Sequence, residues 1–182
     1  MMSESLRVAI IGAGNIGLSI AKGLVQSGHF DPGRITLARR RVHLLEDYRA
    51  QGFRVTDDNI AAVNESDVVL VSVEPQIVDG VLGQIAPALD FDRHILISVV
   101  TGISIRQIEE RVGKPMRIAR AMPNTAIAVR ESMTCIASNG PDDRALDVAR
   151  ELFNDVGKTL RIREEDMLAA TALGACGIAY FL

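Results

Sequence analysis

The stretch LRVAIIGAGNIG, residues Leu6 to Gly17, decides the fold. Its first part is a short, continuous apolar run, the pattern of a strand covered on both faces. The run breaks into Gly12-Ala13-Gly14-Asn15-Ile16-Gly17, a G-x-G-x-x-G. Beyond it, Ile16, Ile20, Leu24 and Val25 recur at helical spacing until Gly28 supplies a stop. A strand, a tight turn and a helix in this order give the glycines separate tasks. Gly12 permits the turn, Gly14 lets backbone approach a diphosphate, and Gly17 lets the helix lie close to the strand. The free N–H groups at the helix start then face the phosphates, so the pattern points to a bound dinucleotide.

Which dinucleotide depends on the end of the next strand, read from about Ile35. An Asp or Glu there would bond the ribose hydroxyls of NAD, but this chain has Leu37-Ala38-Arg39-Arg40-Arg41. Arg39 and Arg40 can neutralise and hydrogen-bond a 2′-phosphate, so NADP(H) is expected over NAD(H).

Outward from these two strands the chain keeps alternating. A helix through Leu44, Leu45 and Tyr48 ends near Gly52, and FRV follows as a short third strand. Asp57 and Asp58 are placed to cap a brief helix. DVVLVSV, Asp67 to Val73, is the most β-branched run and belongs at the sheet centre. Pro75 suits the first turn of a helix reaching toward Leu89, and HILISVV gives another buried strand. Ser104 with Gln107 forms a capping-box pattern for a helix that stops by Gly113. MRIARAMP and MTCIAS read as strands separated by the Pro123-Asn124-Thr125 loop, followed by a helix from about Asp142 to Val156 and the strand KTLRI. Strands alternating with helices at these lengths predict an α/β fold, a doubly wound, mostly parallel Rossmann-type sheet. From Glu164 onward the reading is one helix, with Glu164, Glu165 and Asp166 as charges suited to its start.

Ligands of open α/β sheets bind beyond the carboxyl ends of the strands. Ser72, Val73, Glu74 and Pro75 end the central strand at that edge, with Glu74 expected to be solvated. Met122, Pro123, Asn124 and Thr125 follow another strand there, as a rigid polar loop able to position a nicotinamide ring.

Composition narrows the partners. The 182 residues are 48% hydrophobic and 24% charged with a net charge of −3, which disfavours a nucleic-acid surface and suits a small anionic ligand. No apolar stretch reaches the ~18 residues of a membrane span and no signal core is present, so a cytoplasmic location is expected. Cys135 and Cys176 form no C-x-x-C pattern and are read as small buried residues. His29, His43 and His94 show no paired spacing and are read as surface residues, so no metal site is expected.

GAGNIG, SDVVLVSVEPQ, ISVVTGIS, RAMPNTAIAV, ESMT and EEDMLAATALGACGIAY occur in this order, and with them the chain resembles the pyrroline-5-carboxylate reductase family over nearly its whole length. The resemblance implies a cofactor domain at residues 1–162. It also implies that residues 163–182 open a second, helical domain for dimerisation and substrate binding, so the apolar end at Leu182 reads as a truncation. It assigns cofactor contacts to Gly12–Gly17, Arg39, Arg40, Asn59, Ser72–Pro75 and the Val99, Val100, Thr101, Gly102 stretch, with Met122, Pro123 and Asn124 near the nicotinamide. Substrate contacts fall on Ala175, Cys176 and Gly177. The family's T-A-L-S-G-S-G-P-A-Y reads here with Gly174, Cys176 and Ile178 in place of two serines and a proline. Its lysine before Pro75 is Glu74, and the proline after M-P-N-T is Ala126.

The implied activity is hydride transfer from NADPH to the C=N carbon of 1-pyrroline-5-carboxylate, giving L-proline, in a homo-oligomer. Its catalytic donor lies beyond Leu182. The same first domain also suits a related imine reductase, a 3-hydroxyacid dehydrogenase or a nucleotide-binding module without turnover.

Overall fold

β1 (Val8–Ile11) is buried at every position because both of its faces are covered. Val8 and Ile10 belong to one apolar cluster, and Ala9 and Ile11 to another. In the computed structural model, which describes residues 6–140 and 144–176, β1 lies in an eight-stranded sheet of order β3-β2-β1-β4-β5-β6-β7-β8. The other strands are β2 (Ile35–Ala38), β3 (Arg54–Thr56), β4 (Val68–Val71), β5 (Ile95–Ser98), β6 (Arg117–Met122), β7 (Ser132–Ser138) and β8 (Gly157–Arg161). Neighbours are parallel except β6 and β7. The exception has a local cause. Residues 123–131 are too few for a crossover, so β7 returns antiparallel with Cys135 opposite Met122.

The sheet separates two helical layers. α1 (Asn15–Gln26) and α6 (Arg144–Asn154) bury Ile20, Leu24, Leu146, Leu152 and Phe153 on the Val8 side. α3 (Asn59–Asn64), α4 (Val78–Ile85) and α5 (Ile105–Val112) bury Val63, Leu82, Ile85 and Ile108 on the Ala9 side. The short α2 (Glu46–Ala50) follows a 3₁₀ turn over Val42–Leu45.

Local signals act where the sequence places them. Asp58 accepts hydrogen bonds from the backbone N–H groups of Ile60 and Ala61 at the start of α3. Ser104 and Gln107 complete both halves of a capping box on α5, which ends at Gly113 with φ of +68°. Asp142, the expected start of α6, lies outside the described residues.

Three expectations need correction. The segment after Glu164 is not one uniform helix: a 3₁₀ turn over Glu164–Asp166 leads into α7 (Met167–Ala170) and then a π-helical stretch, Thr171–Cys176. Glu164 is drawn away by a partner on β6, and Thr171 Oγ1 donates to the Met167 carbonyl at 2.7 Å, competing with the regular backbone bond. Met167 buries against Met122 and Ala137. His94 is not a surface residue but 2% exposed. Its Nδ1 accepts the Asp90 N–H at 2.8 Å and its Nε2 lies 3.2 Å from the Val63 carbonyl. Cys135 is half-buried rather than fully enclosed, and its surroundings push the thiol pKa up.

Candidate functional site

The chain runs from β1 through β2 to β3 on one side, then returns to place β4 on the other side of β1. That reversal opens a crevice at the carboxyl ends of β1 and β4, the switch point where doubly wound sheets bind ligands. A cavity of about 280 Å³ occupies it.

Its floor is the glycine turn. Gly12 has a φ of +92°, and its N–H and that of Ala13 both donate to the Ala38 carbonyl at 3.0 Å. A Cβ on Gly12 would lie 2.5 Å from Val73 Cγ1, so only glycine fits. On Gly17 it would lie 2.6 Å from Ser72 Oγ and 2.9 Å from Ile10 Cγ2, which shows how closely α1 approaches the sheet. Gly14 differs, because the nearest protein atom to a Cβ there is the Gly12 carbonyl at 4.0 Å. Ser72 Oγ donates to that carbonyl at 2.7 Å and steadies the turn from β4. Gly14 is the N-cap of α1 and no side chain caps this helix start. The geometry fits a diphosphate, with open space beside Gly14 and an uncapped N-terminus carrying the positive end of the helix dipole.

The walls supply charge and apolar surface. Arg39, Arg40 and Arg41 stand at the end of β2. Arg39 is the most ordered by bonding: its N–H donates to the Thr56 carbonyl at 3.0 Å and its Nη1 to the Ala13 carbonyl at 3.4 Å. Asn59, at the start of α3, donates from Nδ2 to Gln84 Oε1 at 2.9 Å. Glu74 is exposed at the mouth, as a solvated charge should be. Ile77 and Val81 complete an apolar wall.

The structure thus brings Gly12, Gly14, Arg39, Arg40, Asn59, Ser72, Val73 and Glu74 together around one cavity. Asn15 and Ile16 form the first turn of α1, while Ala13 and Gly17 are buried beneath it. Pro75 opens the 3₁₀ turn Pro75–Ile77.

The remaining expected residues lie outside this cavity, at the ends of β5 and β6. Val99 and Val100 send their side chains into opposite apolar clusters, leaving backbone and the exposed Thr101 and Gly102 at the edge. Met122 is buried beside Met167, Pro123 is buried, and Asn124 is half-buried with its Oδ1 accepting the Ala126 N–H at 3.2 Å. Of the substrate residues, Ala175 and Cys176 close the π-helical stretch by their backbone, and Gly177 lies outside the described residues.

Sequence reading missed several contributors, among them the strand ends Ile11 and Ala38. Arg41 lines the cavity beside its two neighbours, and Ile77 and Val81 sit four residues apart, a spacing that signals one helical face. Glu164, read only as a helix-start charge, pairs with the buried Arg120. Among the described residues no group of three or more His, Cys, Asp or Glu is placed to hold a metal, and no helix is long and apolar enough to cross a membrane.

A glycine turn beneath a helix N-terminus, at the switch point of a doubly wound sheet, defines a Rossmann-type dinucleotide-binding domain. The chain belongs to the family described as NADP oxidoreductase, coenzyme F420-dependent, which matches residues 7–102. It is 42% identical to pyrroline-5-carboxylate reductase 1 of Dictyostelium discoideum, across 96% of this chain and 34% of that protein. Two solved structures share the fold closely. A pyrroline-5-carboxylate reductase from Coxiella burnetii superposes with a TM-score of 0.90 at 30% identity, across 97% of this chain and 66% of that one. The Plasmodium falciparum pyrroline carboxylate reductase, with NADP bound, gives 0.85 at 26% identity, across 98% and 65%. The likeness to pyrroline-5-carboxylate reductases read from the motifs is therefore shown, and this chain spans only 34% to 66% of those relatives' lengths.

Proposed function

We propose that this chain is the cofactor-binding part of an enzyme that reduces 1-pyrroline-5-carboxylate to L-proline, using NADPH in preference to NADH. The observation that carries the proposal is the meeting, in one cavity, of an uncapped helix start over Gly14 and the side chains of Arg39 and Arg40. The N–H groups of Asn15, Ile16 and Gly17 hold the diphosphate, and the two arginines hold the ribose 2′-phosphate. Val99 to Gly102 and Met122 to Asn124 flank the nicotinamide with backbone and a rigid loop. The reduced nicotinamide, when bound, supplies the hydride taken up at the imine carbon, which is more electrophilic when protonated. The protein's task is to orient and enclose, which accounts for a site built of turns and arginines rather than of a nucleophile.

Ala175, Cys176 and Gly177 belong to the substrate side in this reading. Gly174 and Cys176 carry no hydroxyl, so backbone N–H groups take a larger share of the carboxylate contact. The whole protein acts as a cytoplasmic homo-oligomer whose helical part completes the substrate pocket.

The test is titration of this chain with NADPH and with NADH, repeated for Arg39→Ala and Arg40→Ala. Each substitution is expected to weaken NADPH roughly tenfold, the worth of a charge-assisted hydrogen bond, and to leave NADH unchanged. Unaltered discrimination between the two nucleotides removes the arginines from the site. Proline formation by the whole protein, measured with the cyclic imine and NADPH, tests the reaction.

A further inference from the structure

Arg130 is the one residue other than glycine with a positive φ among the described residues, at +61°. Left-handed backbone disfavours every side chain with a Cβ, and a glycine here would meet the same geometry without strain. The reason for an arginine must therefore lie in what its side chain does. Its backbone ends the 3₁₀ turn Thr125–Val129, donating to the Ile127 carbonyl at 3.2 Å. Its guanidinium reaches two carbonyls from other parts of the chain: Nε donates to Asp155 at 3.1 Å and Nη1 to Gln26 at 3.3 Å.

Gln26 is the last residue of α1. A cation at the carboxyl end of a helix is favoured by the dipole and satisfies a carbonyl that the helix leaves free. The side-chain stem fits beside Gly23, where a Cβ would lie 3.5 Å from Arg130 Cγ. Ile127, from the same turn, is 1% exposed and joins the apolar cluster of Ile20 and Leu24 on α1. The turn is also closed at its base, where the Asn124 N–H donates to Ser132 Oγ at 3.2 Å and the Glu131 N–H to the Ala126 carbonyl at 3.1 Å. The loop after β6 is thus a stiff body docked along α1. The other end of that helix carries the glycine turn.

We propose that Arg130 is a positioning residue for the nicotinamide half of the cofactor. By tying the loop to the far end of α1, it sets the distance between Met122–Asn124 and the diphosphate turn. It touches no ligand and acts only through the loop. The inference rests on the placement of Met122–Asn124 beside the nicotinamide given under Proposed function.

The test compares two ligands of this chain by calorimetry. NADPH spans both halves of the site, whereas adenosine 2′,5′-bisphosphate carries the phosphates of the adenosine half and no nicotinamide. Arg130→Gly removes the clamp while keeping a residue suited to left-handed backbone, so the fold is retained. It is expected to weaken NADPH about fivefold and leave the bisphosphate unchanged. Arg130→Lys, which keeps a cation able to reach one carbonyl, is expected to recover part of the loss. Equal weakening of both ligands makes Arg130 a general stabiliser and overturns the proposal, as does no change in either. Asn124→Ala separates the two levels. If it weakens NADPH while Arg130→Gly does not, the positioning role alone falls; if it leaves NADPH unchanged, the nicotinamide placement falls and the positioning role with it.

Discussion

Arg120 Nη1 donates to Glu164 Oε1 at 2.8 Å, and the same carboxylate oxygen accepts the Ile105 N–H at 3.1 Å. One oxygen therefore joins β6, the first turn of α5 and the start of the C-terminal helical segment. The Arg120 side chain is 8% exposed and that of Glu164 32%. Arg120 Nε and Glu164 Oε2 are buried without a hydrogen-bond partner. A guanidinium cannot shed its charge, so removing the carboxylate strands a buried cation. Glu164→Gln is expected to cost about 3 kcal/mol, the low end for a buried pair because Glu164 is partly solvated. Adding Arg120→Met should recover at least half of that loss, since no buried charge remains. Urea unfolding of the native chain, both single variants and the double variant checks it. Simple addition of the two losses would deny any coupling.

The glycine turn separates binding from folding. An alanine at Gly14 meets no protein atom closer than 4.0 Å, and Gly14 has a φ of −95°, open to any residue. Gly14→Ala should therefore unfold within about 0.5 kcal/mol of the native chain. Its methyl group projects where the diphosphate would rest, so NADPH affinity should fall at least roughly tenfold. Gly17→Ala should do the opposite. Its Cβ meets Ser72 Oγ at 2.6 Å and Ile10 Cγ2 at 2.9 Å, and the overpacking is expected to cost about 1–3 kcal/mol. Melting curves and NADPH titration on both variants distinguish the roles. Loss of stability in Gly14→Ala would contradict the open cradle.

Ser72 acts on the same turn from just past the end of β4, through its 2.7 Å bond to the Gly12 carbonyl. Ser72→Ala leaves Gly12 without that anchor, although its carbonyl still accepts the Gly14 N–H at 2.7 Å. NADPH is expected to bind about fivefold more weakly, matching the net worth of one neutral hydrogen bond. Affinity equal to that of the native chain would show that the turn holds its shape unaided.

What the sequence made legible was whatever depends on near neighbours. β1, β4 and β5 are continuous apolar runs because both sides of each are covered, and the Asp58 and Ser104 caps act within three residues. The glycine turn and the arginines after β2 were readable for the same reason. What escaped notice depends on distant partners. Glu164, Glu165 and Asp166 look alike in sequence, yet only the first meets Arg120, which the chain brings from 44 residues away. The change from α to π helix at Thr171 follows from a side chain bonding to its own helix, a choice that apolar spacing does not encode. His94 follows Asp92 and Arg93 and reads as part of a charged surface turn, until folding sets the Val63 carbonyl against its ring.

That burial makes His94 a source of pH-dependent stability. Desolvation holds its pKa below the ordinary 6.5, with the charge of Arg93 adding to the effect. The bond to the Val63 carbonyl and the charges of Asp90 and Asp67 oppose it without reversing it. Because Nδ1 already accepts the Asp90 N–H, the neutral ring with its proton on Nε2 is the form that satisfies both partners. The unfolded ring takes up a proton near pH 6.5 while the folded ring still refuses it, so the unfolded state binds more protons in that window. Stability is therefore full above pH 6.5 and declines as pH falls toward the lowered folded value. Urea midpoints should drop between pH 7 and pH 5, and the drop should shrink in His94→Gln, whose amide has no proton to gain in that range. An equal drop in both proteins would assign the effect elsewhere, and a His94 titration midpoint at or above 6.5 by NMR would remove its cause.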